Sequence, residues 1–276
     1  MSSPSRPGLA RRAFFAALAI AGIAVGWYAF ERPTLRDPAD VAADRGKPPL
    51  RVLFVGNSYT FVNHAPSLVR SLATAAGERL RFEAVEECPG GSHLRDHWSS
   101  GRDPPLLLAG HFDWMVLQEQ GQIPSFAPAQ RERDMYPYVE QLQATAARMA
   151  TKTLLFGTWA RRDGDPSNVP GDTYEAMQAR ADEGYAIIAR RLSLPVAPVG
   201  LAWRKALATG GLPTLWAEDG THPSVAGSYL AACVLYQRFY GHDAVGNRFE
   251  AGLGAETAGV LQRVAAEAVR EYEGGG

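Results

Sequence analysis

Residues 51–60 read RVLFVGNSYT, and this stretch decides the fold. Its first half, Arg51–Val55, is a near-continuous apolar run rather than an alternating one. Strands with apolar residues on both faces are typical of parallel sheets that helices cover on both sides. The run passes directly into Gly56, Asn57 and Ser58. Ser58 is therefore expected on a loop at the carboxyl end of the strand, where open α/β sheets bind their ligands.

Four further short apolar runs predict that this strand belongs to a five-stranded sheet. They lie at Leu80–Val85, Trp114–Leu117, Lys152–Phe156 and Pro195–Val199. Helical periodicity separates most of the runs and continues after the last one. It predicts helices at Pro66–Ala76, Met135–Met149, Tyr174–Leu192, Val225–Tyr240 and Glu256–Tyr272. Alternating strands and helices with right-handed crossovers indicate an α/β fold, a three-layer α/β/α sandwich around a parallel sheet.

The composition is that of a globular protein with a substantial core. The 276-residue chain is 46% apolar and 21% charged, which suits one α/β domain with a short extension. Its net charge is −1 and no element concentrates the basic residues, which argues against a nucleic-acid partner. Cys88 and Cys233 match no metal or redox spacing. We expect unpaired thiols, with a disulfide as the alternative in an oxidising compartment.

The amino terminus predicts membrane anchoring or export. Arg6, Arg11 and Arg12 precede an uncharged, largely apolar run at residues 13–30. A helix over this run would measure roughly 27 Å, enough to cross a thin bilayer core. Arginines on one side place that side in the cytoplasm, so the remainder is expected to be extracytoplasmic. A cleaved Sec or twin-arginine signal is the alternative to a retained anchor. The predicted order is a cytoplasmic segment at 1–12, the anchor or signal at 13–30, a proline-rich charged linker at 31–49 and the folded domain at 50–274.

The carboxyl ends of the predicted strands carry the residues that could perform chemistry. The second strand is followed by Gly90 and Gly91, which let the backbone turn tightly and point an N–H group at a ligand. The third strand ends near Gln118 and Gln120, whose amide side chains would lie over the same edge. Late in the chain, residues 219–224 read DGTHPS, just before a predicted helix.

Together these residues match the requirements of acyl transfer. A serine hydroxyl becomes nucleophilic when a histidine takes its proton, and a carboxylate holds the correct histidine tautomer. Ser58, Asp219 and His222 are therefore predicted to form a catalytic triad. The N–H groups of Ser58 and of Gly90 or Gly91, together with a glutamine amide, are predicted to bind the oxyanion. Each motif alone is common as a turn or a helix cap, so the prediction depends on their order and placement.

Three blocks of the sequence resemble those of the SGNH/GDSL-like hydrolase superfamily, in a bacterial branch. They are GNSYT at 56–60, LQEQ at 117–120 and DGTHPS at 219–224. The resemblance extends over nearly all of residues 50–240. It implies a flavodoxin-like sandwich with strand order 2-1-3-4-5, ester hydrolysis through a serine nucleophile, and no metal or other cofactor.

Two departures from the family pattern concern the site. The usual Gly-Asp-Ser is Gly-Asn-Ser here, a modest change because Asn57 is not the nucleophile. The usual Gly-x-Asn block is absent, so a glutamine must replace its asparagine as an oxyanion donor. Gln118, at the expected strand end, is the first choice and Gln120 the second. With neither amide in place, the oxyanion would have only backbone donors.

Four further residues are candidates for substrate binding, namely Asn57, Tyr59, His93 and Trp159. Trp159 is equally consistent with packing beside the cleft. His93 and His97 lie four residues apart and could hold a metal on one helical face. They lack the glutamate of the zinc-protease motif, so structural or rim roles are favoured.

The sequence therefore predicts a serine hydrolase that cleaves short-chain or carbohydrate O-acetyl esters. No lid and no long apolar acyl groove are visible in the sequence. An envelope glycan O-acyltransferase on the same triad and a non-catalytic carbohydrate-binding protein are the alternatives, and the intact triad argues against the second. The α/β-hydrolase fold is disfavoured because its Gly-x-Ser-x-Gly elbow is absent. The expected partners are a small-molecule or glycan ester and, through residues 13–30, a membrane.

Overall fold

The structure of the chain, a computed structural model, describes residues 42–274. Its strands are β1 (Pro49–Val55), β2 (Arg81–Glu87), β3 (Trp114–Leu117), β4 (Lys152–Phe156) and β5 (Val196–Ala197). All neighbouring strands pair in parallel, in the spatial order β2-β1-β3-β4-β5. The predicted five-stranded parallel sheet and its strand order are confirmed.

Helices connect the strands in the alternating order that the sequence predicts. Over residues 42–274 they are α1 (Ser58–Phe61), α2 (Ala65–Ala76), α3 (Leu94–Ser100), α4 (Asp103–Gly110), α5 (Pro128–Asp134), α6 (Tyr136–Arg148), α7 (Tyr174–Leu192), α8 (Val199–Thr209), α9 (Val225–Tyr240) and α10 (Ala255–Gly274). The five predicted helices correspond to α2, α6, α7, α9 and α10. The others are short or contain Gly, Pro or Ser residues, which weakens their periodic pattern.

Side chains alternate along the strands and so contribute to two separate cores. Val52 and Phe54 of β1 pack in the core that α2, α8, α9 and α10 cover. Leu53 and Val55 pack on the opposite face, against α3, α4, α6 and α7. All four side chains are buried, which explains the continuous apolar pattern, and each contributes roughly 1.5–3 kcal/mol to folding. The predicted three-layer sandwich is confirmed.

β2 and β5 differ most from the predicted strands. β2 continues to Glu87, two residues past its predicted end, because Glu87 still pairs with Val55. Because β2 is an edge strand, it can carry the charged Glu86 and Glu87. These two residues do not continue the apolar run from which the strand was predicted. β5 contains only Val196–Ala197, since Pro198 has no N–H to donate and α8 begins directly after it.

Residues 42–49, which the sequence assigned to the linker, are part of the folded unit. The Thr74 hydroxyl donates a hydrogen bond to the buried Asp44 carboxylate at 3.3 Å, and Lys47 pairs with the same group. The folded domain therefore begins at or before Asp44 rather than at residue 50. The predicted segments 1–12 and 13–30 lie outside the described residues. None of the described helices combines the length and the apolar composition that crossing a membrane requires.

Both cysteines are free thiols, as expected from their spacing. Cys233 is fully buried within α9, and Cys88 is partly buried after β2. The Cys88 thiol contacts the Phe54 carbonyl oxygen at 3.6 Å, so it packs against β1. Burial raises the pKa of both thiols, which makes them poor nucleophiles.

Candidate active site

Ser58 lies at the carboxyl end of β1, as the first residue of the short helix α1. Asn57 is extended and caps this helix, since its Oδ1 accepts a hydrogen bond from the Tyr59 N–H at 3.1 Å. Only glycine fits at position 56, because a Cβ atom there would lie 2.7 Å from Gln118 Oε1. The strand end and the cap together fix the backbone from which the Ser58 hydroxyl projects.

The three predicted triad residues form one hydrogen-bonded chain. Ser58 Oγ lies 2.9 Å from His222 Nε2, and Asp219 Oδ2 lies 2.5 Å from His222 Nδ1. When Nδ1–H donates to the carboxylate, Nε2 is free to accept the serine proton. The fold thus joins residues that are 164 positions apart in the sequence.

Asp219 has two tasks in this arrangement, one for each carboxylate oxygen. Oδ1 accepts hydrogen bonds from the N–H groups of Thr221 and His222, both at 2.9 Å, while Oδ2 holds the imidazole. Partial burial opposes its ionisation, but the bonds from His222 and Thr221 outweigh burial and lower the pKa of Asp219 below its usual value. Asp219 is therefore a carboxylate at neutral pH.

The loop that carries Asp219 and His222 is held from several sides. The Arg162 N–H donates to the Gly220 carbonyl at 2.8 Å, and Trp159 Nε1 donates to the Thr221 carbonyl at 3.0 Å. Gly220 has φ +66°, a conformation that favours glycine. Asn63, in the turn after α1, donates to the Pro223 carbonyl at 2.9 Å. These contacts fix the loop at 219–223 (the histidine loop) relative to the loop at 56–58 (the serine loop). Neither Arg162 nor Asn63 was predicted from the sequence.

Trp159 and Tyr59 are buried supports rather than parts of the cleft wall. Trp159 has no exposed surface and stacks between Tyr59 and Trp203, at ring-centroid distances of 4.5 and 4.2 Å. Tyr59 is also buried, and its ring meets the His222 ring edge-on at 6.0 Å. Trp159 therefore has the packing role that the sequence left open as its alternative, and the prediction that Tyr59 contacts substrate is corrected, because its side chain is only 5% exposed. Asn57 is likewise buried and structural.

The loop after β2 contains Gly90 and Gly91, the residues predicted to supply backbone donors. Gly90 and Gly91 are exposed, and Gly91 has φ +74°. Asn57 fixes this loop by donating from Nδ2 to the Ser92 carbonyl at 2.9 Å. In the part of the chain that the structure describes, no hydrogen bond uses the N–H of Ser58 or of Gly91. The oxyanion-binding role of these two N–H groups stays a prediction.

The side-chain amides of the two glutamines form hydrogen bonds within the protein. Gln118 is 1% exposed; its Oε1 accepts from the Asn57 N–H and the Thr60 hydroxyl, both at 3.0 Å, and its Nε2 donates to the Glu119 carbonyl. Gln120 donates from Nε2 to Gln122 Oε1 at 3.3 Å. The prediction that Gln118 completes the oxyanion hole is corrected, because its amide is buried and bound to neighbouring backbone groups. The second choice, Gln120, stays a prediction, since its half-buried amide has a second N–H to donate.

His93 and His97 have separate structural surroundings. His97 is buried, and its Nε2 lies 2.7 Å from the Gly56 carbonyl oxygen, so it supports the end of β1. His93 is the residue before α3, partly exposed, with Nδ1 4.0 Å from Glu119 Oε1. Within residues 42–274 no group of three or more His, Cys, Asp or Glu side chains could hold a metal ion. The buried Glu119 was not identified from the sequence, where it is only one polar residue in a polar segment.

The Asn57–Ser92 contact gives a first testable expectation. Asn57→Asp restores the family's Gly-Asp-Ser but replaces the Nδ2 donor by a carboxylate that faces a carbonyl oxygen. We expect the free energy of unfolding to fall by about 1–3 kcal/mol at pH 8. Protonation would restore a donor, so the deficit should be smaller at pH 4. Denaturant unfolding at both pH values measures it, and a variant as stable as wild type at pH 8 would contradict this role of Asn57.

The chain resembles known proteins more in its fold than in its sequence. No protein-family model matches the chain, and no curated protein matches it in sequence. A protein from Slackia heliotrinireducens, described as a candidate SGNH hydrolase, is 28% identical with a TM-score of 0.56, over 68% of this chain and 98% of its own. A DUF4886 family protein from Bacteroides uniformis has a TM-score of 0.70 at 16% identity, over 82% and 96% of the two chains. A catalytic mutant of an acetylxylan esterase from Geobacillus stearothermophilus has a TM-score of 0.55 at 18% identity, over 73% and 99%. The first likeness includes the sequence, whereas the other two concern the fold alone.

Proposed function

We infer that this chain, an ester hydrolase of the SGNH/GDSL-like superfamily, cleaves carboxylic esters with Ser58 as nucleophile, His222 as general base and Asp219 as the carboxylate that orients the base. The observation that carries this proposal is the hydrogen-bonded chain from Ser58 Oγ through both His222 nitrogens to Asp219 Oδ2. It places a proton acceptor against the hydroxyl and holds that acceptor in the required tautomer.

The reaction follows from these contacts in two halves. His222 Nε2 takes the Ser58 proton while Oγ bonds to the ester carbonyl carbon, and the carbonyl oxygen becomes an oxyanion. The N–H groups of Ser58 and of Gly91 or Gly90 stabilise that charge. The intermediate collapses when the carbon–alkoxy bond breaks and His222 returns the proton to the departing alcohol, which leaves an acyl-Ser58. Water, deprotonated by His222, then attacks the acyl carbon and releases the carboxylic acid and free Ser58.

The substrate that we propose is a short acyl ester, an O-acetyl group on a carbohydrate in particular. Phe61, one helical turn after Ser58, is 37% exposed, and its ring lies 4.0 Å from where a Gly90 side chain would begin. An exposed aromatic ring beside the nucleophile offers an apolar face to a sugar ring or a small acyl group. The fold likeness to an acetylxylan esterase is consistent with this choice. Localisation outside the cytoplasm, through the segment at 13–30, is a proposal that rests on the sequence pattern.

Acetate release from acetylated xylooligosaccharides tests the proposed substrate class. We expect the full chain to release acetate and to hydrolyse p-nitrophenyl acetate at least about tenfold faster, in kcat/KM, than p-nitrophenyl decanoate, because no long apolar acyl groove is visible in the sequence. Faster cleavage of the decanoate would contradict the short-acyl proposal. Transfer of acetyl to an added glycan, with little free acetate, would instead identify an acyltransferase. Binding of the glycan without any acyl cleavage would identify a non-catalytic protein.

A further inference from the structure

Glu119 is a fully buried carboxyl group that the proposed mechanism does not use. It lies two residues after β3 and has no exposed surface. Its Oε1 accepts hydrogen bonds from two backbone N–H groups, those of Gln120 at 2.7 Å and of Leu94 at 3.2 Å. Its Oε2 has no hydrogen-bond partner among the described residues. Such a group is costly in the ionised form, since one oxygen alone is stabilised.

The groups that face Glu119 offset the cost of a buried negative charge only in part, since the charge of His97 favours the carboxylate and that of Asp96 opposes it. From the start of α3 they are His93, with Nδ1 4.0 Å from Oε1, and the charges of Asp96 and His97. From α7 the Tyr185 hydroxyl lies close to Glu119 and to Thr158, which follows β4. No lysine or arginine in the described region forms an ion pair with this carboxyl group. Burial accordingly raises the pKa of Glu119 to about 8, although the two N–H donors act in the opposite direction.

The contact with Leu94 links Glu119 to the oxyanion donors. Leu94 is the first residue of α3 and follows directly on the loop that contains Gly90 and Gly91. Asn57 holds that loop at Ser92, and Glu119 holds it two residues later. The loop is therefore fixed at one side by the serine loop and at the other by the end of β3.

We propose that Glu119 is a positioning residue, which in its neutral form fixes the Gly90–Gly91 loop for oxyanion binding and which releases that loop when it loses its proton. The proposal rests on the proposed function. An ionised carboxylate here would have to gain water, and the exposed loop is the part of its surroundings that can open most easily. The positioning effect acts on the transition state, so kcat should fall while KM stays within about twofold.

The test is the pH profile of p-nitrophenyl acetate hydrolysis from pH 6 to 10, with Ser58→Ala rates subtracted. For the wild-type full chain we expect kcat at pH 9 to be about tenfold below its value at pH 7.5, following the neutral fraction of Glu119. Glu119→Gln keeps the Oε1 acceptor and cannot ionise, so its kcat should not fall over this range. Glu119→Ala loses the contact with Leu94 and should have a kcat at least about tenfold below that of Glu119→Gln at pH 7.5. Glu218→Gln, which removes an exposed carboxylate beside Asp219, should keep the wild-type profile.

Three results would overturn the proposal. A wild-type kcat that does not fall between pH 7.5 and 9.5 would do so without any variant. The same alkaline fall in Glu119→Gln would assign it to another group. A fall that is entirely in KM would contradict an effect on the oxyanion. Equal activity of Ser58→Ala and wild type would instead reject the proposed function, and no Ser58-dependent rate would then remain for the Glu119 comparison.

Discussion

Ser58→Ala is expected to lower kcat for ester hydrolysis by about 10⁴–10⁶-fold and to leave the fold unchanged. The loss is large because Ser58 Oγ is proposed to form the covalent bond to the acyl group, and no other hydroxyl within residues 42–274 forms a hydrogen bond with His222 Nε2. The fold should persist because the hydroxyl has this one hydrogen bond at a partly exposed site. Its removal should change the free energy of unfolding by no more than about 1 kcal/mol.

Two measurements on the full chain check this expectation. Hydrolysis of p-nitrophenyl acetate gives the rate, and mass spectrometry after treatment with a sulfonyl fluoride shows whether a covalent adduct forms at residue 58. Ser99→Ala is the matched control, since Ser99 is an exposed serine on α3. Full activity in Ser58→Ala, or an adduct at another serine, would reject Ser58 as the nucleophile.

Asp219→Asn is expected to lower kcat by about 10³–10⁴-fold, an effect that arises from the histidine tautomer. The N–H groups of Thr221 and His222 would bind the asparagine oxygen, since both need an acceptor. The asparagine NH₂ group would then face His222 Nδ1 and donate to it. Nδ1 would become an acceptor and Nε2 would carry the proton, so Nε2 could no longer accept the proton of Ser58.

The matched control for this variant is Asp163→Asn, which removes an exposed carboxylate from a neighbouring loop. It should retain wild-type kcat, and both variants should unfold at similar denaturant concentrations. Retention of more than about a tenth of the wild-type kcat in Asp219→Asn would show that the carboxylate does not control the tautomer.

Contacts that are local in the sequence could be predicted, and so could elements with a strong periodic pattern. The Asp219–His222 contact spans three residues and is made within one turn, so its spacing alone predicts it. The strand Arg51–Val55 is apolar on both faces, which predicts burial between two helical layers. Ser58 follows from its position directly after that strand.

Contacts that join distant loops could not be predicted in this way. The Gln118 amide is oriented by Asn57, 61 residues earlier in the chain. Its N–H group is bound to the Glu119 carbonyl, so it does not act as the oxyanion donor that the family pattern suggests. Trp159 is buried because Tyr59 and Trp203 stack on its two faces, and neither is near it in the sequence. Glu119 is enclosed by α3 and α7, so its burial depends on the assembled fold. A residue's type gives its chemistry, but tertiary packing decides whether that chemistry is available.

The separation of Ser58 from its base along the chain has a consequence for biosynthesis. All five strands and the Gly90–Gly91 loop are translated before residue 200, whereas Asp219 and His222 come after it. A nascent or truncated chain that ends before residue 219 carries the nucleophile and the backbone donors but has no group to remove the serine proton. Under the proposed mechanism, the chain would therefore stay inactive on the ribosome until residues 219–222 are translated and have packed against Ser58. Ester hydrolysis by a nascent chain would then show that the histidine loop has been translated and has packed against Ser58 at the end of β1.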